Sequence, residues 1–253
     1  MRALESLVKK AGGWSKLTSK YTCHPKTKEE LNEIIRARIK SKGNNCDLND
    51  IDTSLITDMA GLFAYMDGFN GDISEWDVSN VTNMNSIMKR CKKFNGDISQ
   101  WDVHNVTSFD NAFRDCAMFN CDLSGWNVKN ATIMSSMFSG CHSLNCDLSK
   151  WDVSNVERFD YMFCLCDLFE SDLSKWNTAK AVDMRGMFSH ATAFNSDLSK
   201  WKTGNVHDMT FMFYDCKKFD CDLSNWDIKK GTMCSKFAFD GKLKKAHYPK
   251  FKQ

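Results

Sequence analysis

Seven of the eight tryptophans in this chain stand 25 residues apart. A fixed period of roughly 20 to 29 residues is typical of repeat proteins in which each coil is one strand-plus-helix unit and neighbouring coils stack. The spacing therefore predicts an α/β solenoid. The column, which has no insertion or deletion, is Trp76, Trp101, Trp126, Trp151, Trp176, Trp201 and Trp226.

The other columns of the repeat are equally regular. An Asp precedes each of these tryptophans by four residues and a Ser precedes it by two, as Asp72 and Ser74 precede Trp76. A step of one period back from Trp76 reaches Ile51, where Asp47 and its neighbours keep the register. We therefore predict about eight coils, of which the first is degenerate, as terminal repeats usually are.

The apolar positions within one coil predict its two elements. Trp76 and Val78 alternate with polar residues, a period of two that suits a short strand with one buried face. Thr82 then stands where the N-cap of a helix is expected. The stripe of a short amphipathic helix follows at Met84, Ile87, Met88 and Cys91. Each coil is thus predicted to be a leucine-rich-repeat-like strand and helix, with its Trp buried between neighbours.

The segments outside the repeat predict a cap and a tail. Thr27 to Glu30 has the form of a capping box, and the apolar face after it predicts a helix that covers the first coil and ends before Gly43. A weaker stripe precedes it at Leu4, Leu7, Val8 and Ala11. The basic tail is interpreted as a solvated end. The predicted domains are an N-terminal helical cap (1–45), a repeat solenoid (46–241) and a basic C-terminal tail (242–253).

Composition and motifs limit the classes of function. The net charge is +2 and 42% of residues are hydrophobic, which gives no bias towards nucleic acid. The chain has neither the apolar run of a membrane span nor a signal peptide, so we expect it to be cytoplasmic as given, or surface-exposed or secreted by another route. No GxSxG, HExxH, P-loop or GxGxxG motif is present, and we predict that the protein is not an enzyme.

The twelve cysteines follow the repeat. Five share one column (Cys91, Cys116, Cys141, Cys166 and Cys216) and three share another (Cys121, Cys146 and Cys221), with small residues elsewhere in both columns. This pattern favours free buried thiols over disulfides or a metal site. We expect no cofactor.

A ladder of carboxylates needs an explanation, because like charges in adjacent coils repel. The favoured interpretation is that each Asp accepts hydrogen bonds from turn N–H groups and from the Ser two residues on. Calcium held between coils at Asp72, Asp97 and Asp122 is the alternative. The recurring Asn that begins at Asn80 is predicted to bond backbone groups in the same structural manner.

Columns that vary from coil to coil while pointing outward are the expected recognition surface. The residues directly before and after each Trp meet this condition, and their charge changes from acidic in early coils to basic in later ones. The predicted binding residues are Glu75, Asp77, Gln100, Asp102, Lys150, Asp152, Lys175, Lys200 and Lys202. An ordinary solvated surface would look similar.

The repeat resembles a known family. The string MFxxCxxFNxDLSxWDVSNVTxM is similar to the BspA-like leucine-rich-repeat family, in a branch known only as a domain of unknown function, and Phe138, Cys141 and Leu144 match the family's Phe-x-x-Cys-x-x-Leu/Phe step. The opening PKTKEELNEII also resembles the usual start of such proteins in host-associated bacteria. The resemblance covers about residues 25 to 240. It implies a role in adhesion or host interaction.

We therefore predict a non-catalytic protein-binding repeat module that recognises a protein partner through its exposed strand face, with no nucleic-acid partner and no membrane span. A structural or self-assembling protein, pairing end to end into an oligomer, is the alternative from another class. An enzyme is the third hypothesis.

Overall fold

The predicted register of the repeat is confirmed. In a computed structural model that describes residues 20–252, the chain forms a stack of coils joined by parallel backbone bridges between equivalent residues. Asp58 pairs with Asn83, Asn83 with Ser108, and the series continues to the pair Asp208–Met233. The degenerate first coil belongs to the stack, since Asp47 bridges to Asp72.

The predicted α/β class, with a strand and a helix in every coil, is wrong. Within residues 20–252 the helices are α1 (Lys28–Lys42) and a short 3₁₀-helix (Lys245–His247), and no β-strand forms. Each coil consists instead of turns and extended linkers with isolated bridges.

Hydrogen bonds between coils explain why the predicted short helix does not form. The N–H groups of Met84, Ser86, Met88 and Arg90 donate to carbonyl oxygens of the next coil at 2.7 to 3.1 Å. A helix would direct N–H groups to carbonyls four residues back in its own segment. Ser86 and Arg90 also have φ values of +56° and +63°, a left-handed conformation that interrupts any right-handed helix. The segment is therefore a succession of turns.

Thr82 is not a helix cap. Its Oγ1 donates to the Thr57 carbonyl oxygen of the preceding coil at 3.3 Å, and Thr107 makes the equivalent bond to the Thr82 carbonyl at 3.2 Å. The recurring Thr therefore ties one coil to the next at the start of the turns.

The Trp column is buried, as predicted. The seven indoles are 3% to 4% exposed, and each Nε1–H donates to a backbone carbonyl 28 residues earlier, as Trp151 does to Leu123 at 2.9 Å. Neighbouring rings lie nearly parallel, with the centroids of Trp126 and Trp151 6.4 Å apart and their planes at 2°. Met84, Ile87, Met88 and Cys91 are also fully buried, so the apolar stripe predicted the inward side chains although it predicted the wrong element.

The helix α1 begins and ends where the sequence predicted. Thr27 Oγ1 accepts from the Glu30 N–H at 3.3 Å, and the Gly43 N–H donates to the Ile39 carbonyl at 2.8 Å. Leu31 and Ile35 are fully buried in the same core as the coils. The apolar stripe at Leu4, Leu7, Val8 and Ala11 lies outside the described residues.

The large apolar residues of the C-terminal tail lie against the last coil, while its lysines are exposed to solvent. The Leu223 N–H donates to the His247 carbonyl at 2.9 Å. The rings of Tyr248 and Phe251 meet Phe237 edge-on, at centroid distances of 5.7 and 5.2 Å. Both ends of the stack are thus covered by non-repeat segments. Over residues 20–252, no helix has the length and apolar character needed to cross a membrane.

Candidate functional site

All nine predicted binding residues are exposed, and they form the Trp-flanking face, defined as the residues directly before and after each buried Trp. The residues that flank successive tryptophans are carried by successive coils, so the structure arranges them along the stack and does not gather them into one pocket. Lys200 and Lys202 share an open cleft of about 570 Å³ that Asn225 and Asp227 also line.

The acidic members of this face are engaged with their own turns. Asp77 Oδ1 accepts from the Ser79 N–H at 3.0 Å and from the Ser79 hydroxyl at 2.7 Å. The Ser154 hydroxyl and N–H lower the pKa of the Asp152 carboxyl. Glu75 is in an ion pair with Lys20.

The lysines of the later coils differ from these acids. Between residues 20 and 252, no carboxylate lies within ion-pair distance of Lys150, Lys175, Lys200 or Lys202. The ammonium groups of these lysines therefore have no ion-pair partner in the described part of the chain, which agrees with the change from acidic to basic residues along the coils.

The carboxylate ladder has the predicted local hydrogen bonds. Asp72 Oδ1 accepts from the Ser74 N–H at 3.0 Å and from its hydroxyl at 2.8 Å, and the other six members accept from the equivalent Ser N–H at 2.9 Å. These bonds, led by the Ser74 N–H, lower the pKa of the Asp72 carboxyl. In the part of the chain that the structure describes, no group of three or more His, Cys, Asp or Glu side chains is arranged to hold a metal ion.

The asparagine column also bonds the backbone, as predicted. Asn80 Nδ2 donates to the Ser54 carbonyl at 2.9 Å, and Asn105 Nδ2 donates to the Ser79 carbonyl at 2.8 Å. These residues connect adjacent coils and are used by the fold.

All twelve cysteines are free thiols. In the five-membered column each Sγ donates to a carbonyl oxygen 28 residues earlier, as Cys141 does to Phe113 at 3.1 Å. Burial raises the pKa of Cys91 and of Cys146 to about 12. A buried thiol that stays protonated is a poor nucleophile and a poor metal ligand, so this column is structural.

A second outward surface escaped the sequence analysis because its segment was interpreted as a helix. We call it the turn face: the outward side chains of the turns, at positions equivalent to Asn83, Asn85, Ser86, Lys89 and Arg90. Residues at these positions change type from coil to coil, from Gly and Ser to Arg and Phe. Positions that vary between coils and point outward were expected to bind a partner, and the turn face meets this condition at least as well as the Trp-flanking face does.

A polar cleft of about 280 Å³ lies in the middle of the turn face. In its wall, the buried Asp160 accepts from Ser135 Oγ at 2.5 Å and from Arg158 Nε at 3.2 Å. Asp110, also in the wall, accepts from Asn111 Nδ2 at 2.7 Å. Both carboxylates are bonded to neighbours, so the cleft presents hydrogen-bonding side chains.

The last coils of the turn face carry an aromatic cluster in which Phe239 is exposed and Phe211 and Tyr214 are half-buried. The Phe211 and Tyr214 rings meet edge-on at 5.7 Å, and the Tyr214 and Phe239 rings stack at 5.9 Å. Lys236 Nζ lies 5.8 Å from the centroids of both Phe211 and Phe239. Phe239 is 53% exposed, which is unusual for so large an apolar side chain.

Stacked coils with two variable outward faces define this molecule as a repeat protein. The chain belongs to the family described as Mycoplasma protein of unknown function, DUF285, which matches residues 31–151 and 132–248. The two overlapping matches fit a chain in which one unit recurs throughout.

Comparisons beyond the family are sparse. None of the curated proteins matches the chain. The crystal structure of the TLR13–ssRNA13 complex aligns with a TM-score of 0.23 and 8% identity, over 86% of this chain and 53% of that one. The chain thus spans about half the length of that structure, and a likeness this weak carries no argument about fold or ligand.

Proposed function

We propose that this chain is a non-catalytic protein-binding repeat module. The proposal rests on a difference between the recurring and the variable positions of the repeat. Side chains that recur through most of the stack, such as Trp151, Asp147 and Asn155, are bonded or packed within it. The side chains that vary lie on outward faces, where a partner can contact them. Repeat proteins commonly bind through such extended surfaces.

Self-assembly through the ends of the stack is the weaker candidate. The outer side of the first coil is paired with the segment before α1, because the Asp52 N–H donates to the Cys23 carbonyl at 2.9 Å. The last coil is covered by the tail, where Leu243 is only 6% exposed. Covered ends leave few backbone groups for a second copy. Concentration-dependent growth in light scattering would favour self-assembly.

The resemblance of the repeat string to BspA-like proteins extends the proposal to adhesion or host interaction. That association supports a partner outside the cell that makes the protein, and it agrees with a surface suited to recognition. Catalysis is the least supported class, because the buried carboxylate of the polar cleft, Asp160, is held by Ser135 and Arg158 and the chain has no recognised catalytic motif.

Charge reversal on the Trp-flanking face tests the proposal. Proteins captured from host or cellular extracts by the wild-type chain should bind at least several-fold more weakly to the double variant Lys175→Glu, Lys200→Glu, because the two ammonium groups have no ion-pair partner within residues 20–252 and are free to pair with a partner's carboxylates. The melting temperature should stay nearly unchanged, since Glu75 occupies the same column in another coil.

Neutral replacements provide the matched control. Lys175→Gln and Lys200→Gln use the residue that Gln100 supplies in this column, and they should weaken binding less than reversal does. Unaltered affinity in the Glu variant would remove the Trp-flanking face from the proposal. The turn face would then be the surface to test.

A further inference from the structure

The aromatic cluster of the last two coils is not required for stacking. The position of Phe211 and Lys236 is filled by Gly61, Ser86 and Gly186 in other coils, which stack in the same register. The position of Tyr214 and Phe239 is filled by Ala64, Ser139, Cys164 and Ser189 in other coils. Small residues therefore satisfy the fold at both positions.

Backbone conformation gives a second reason to look beyond the fold. Phe211 has a φ of +60° and Lys236 a φ of +50°. This left-handed region suits glycine, and a bulky side chain there is unfavourable. The same position is left-handed at Ser86, Asn111 and Tyr161, so the fold sets the conformation and does not itself call for Phe or Lys there. Exposed apolar surface that folding does not require often marks an interaction site.

The charges around the cluster indicate what a partner must offer. Two acids stand at its edge: Asp215, which is in an ion pair with Lys217 and lies 3.1 Å from His190 Nδ1, and the exposed Asp240, which is outside ion-pair distance of Lys236. Lys236 has no carboxylate within ion-pair distance in residues 20–252, and its ammonium group lies against the two phenyl rings. The cluster thus combines an apolar centre with one uncompensated cation.

We propose that Phe211, Tyr214, Phe239 and Lys236 form a docking site for a protein segment that places an apolar side chain next to an acidic one. The apolar side chain would pack against the exposed rings, and the carboxylate would pair with Lys236. Aromatic residues flanked by charge commonly dominate the binding energy of protein interfaces. This inference rests on the proposed function and adds the chemistry of the partner.

A displayed library of random short peptides tests the site directly. Selection on the wild-type chain should enrich peptides in which Asp or Glu neighbours an aromatic or aliphatic residue. The variant Phe211→Ser, Phe239→Ser should bind the enriched peptides on the order of tenfold more weakly, or worse, because the exposed ring of Phe239 and the half-buried ring of Phe211 are both lost. Ser86 and Ser139 occupy these columns elsewhere, so the variant should still fold.

Charge reversal at Lys236 gives the sharper prediction. Selection on Lys236→Glu should replace the acidic preference with a preference for Lys or Arg, and the apolar preference should remain. A merely structural role for Lys236 would not exchange one charge for the other.

The control is Leu55→Asn. Leu55 is 62% exposed in the first coil, and Asn80 and Asn105 occupy its column in later coils. This variant removes an exposed apolar residue far along the stack from the cluster, so it should retain peptide binding.

The remaining outcomes each overturn the inference. Enriched peptides that bind the double Ser variant as well as the wild type would refute the docking site and leave the proposed function standing. An absence of any enriched peptide would count against both. A dimer that forms in light scattering and is lost in the double Ser variant would identify a second copy as the occupant.

Discussion

Replacement of Trp151 by Ala should lower the free energy of unfolding by about 3 to 5 kcal/mol, as expected when a large buried side chain is removed. Trp151 is 4% exposed, and its ring is parallel to that of Trp126. The substitution also removes the indole donor that bonds to the Leu123 carbonyl at 2.9 Å. Urea denaturation followed by circular dichroism would measure the change.

The matched control for this substitution is the neighbouring Lys150→Gln. Lys150 is exposed, and Gln100 fills the same column in another coil. We expect that this change stays within about 0.5 kcal/mol of the wild type, as surface substitutions usually do. If Trp151→Ala were equally mild, the Trp column would not be the buried core described above.

Alkaline pH should destabilise the protein strongly because of its buried thiols. Burial raises the pKa of Cys91 from 9.0 to about 12, and it also raises the pKa of Cys116, Cys141 and Cys166 well above 9.0. Above pH 9 these thiols ionise in the unfolded chain while they stay protonated in the folded one. Each thiol then lowers the free energy of unfolding by about 1.4 kcal/mol per pH unit until its folded pKa is reached.

The direction of this dependence follows from linkage. Below pH 9.0 the thiols are neutral in both states and contribute no slope; above it the unfolded state binds fewer protons, so stability falls as pH rises. Urea unfolding between neutral pH and about pH 10 would measure the slope.

Lysines and tyrosines also titrate in this pH range. A triple variant distinguishes the contribution of the thiols to the pH dependence of stability from theirs. Ala191 shows that Ala fits the column, so Cys116→Ala, Cys141→Ala and Cys166→Ala together should fold. Each removed thiol should reduce the slope by about 1.4 kcal/mol per pH unit. An unchanged slope in the triple variant would mean that these thiols are not buried and neutral in the folded protein.

The sequence predicted the structure correctly at positions where a residue type is compatible with a single structural role. The spacing of Trp and Asp determined the register, and the capping-box pattern from Thr27 determined where α1 begins. The burial of the Trp column and the bonds from Ser74 to Asp72 followed from the same pattern.

The secondary structure of the coil could not be obtained in this way. Apolar residues at i, i+3, i+4 and i+7 mark the inward side of a helix, but the turns from Met84 to Cys91 bury the same positions. The two arrangements differ in the sign of φ at Ser86 and Arg90, and neither Ser nor Arg signals a left-handed conformation as Gly would. The local apolar pattern is compatible with both a helix and a series of turns, and the backbone hydrogen bonds between coils favour the turns.

The error about the helix also concealed part of the candidate site. Residues such as Phe211 and Phe239 were assigned to a helix and were not considered as members of a variable outward column. Once the turns are recognised, the turn face becomes a surface with its own charge and aromatic content. The Trp-flanking residues were found because their alternation around a buried Trp is visible in sequence.

The conformation of Ser86 is therefore the feature on which the coil and the turn face both depend. At a φ of +56°, Ser86→Gly should be more stable than Ser86→Ala by about 1 kcal/mol, because Ala carries the Cβ penalty of the left-handed region. In a helix the order would be reversed by a similar amount, since Ala is the better helix former. We expect urea unfolding of the two variants to place Gly above Ala. The opposite order would contradict a coil built of left-handed turns.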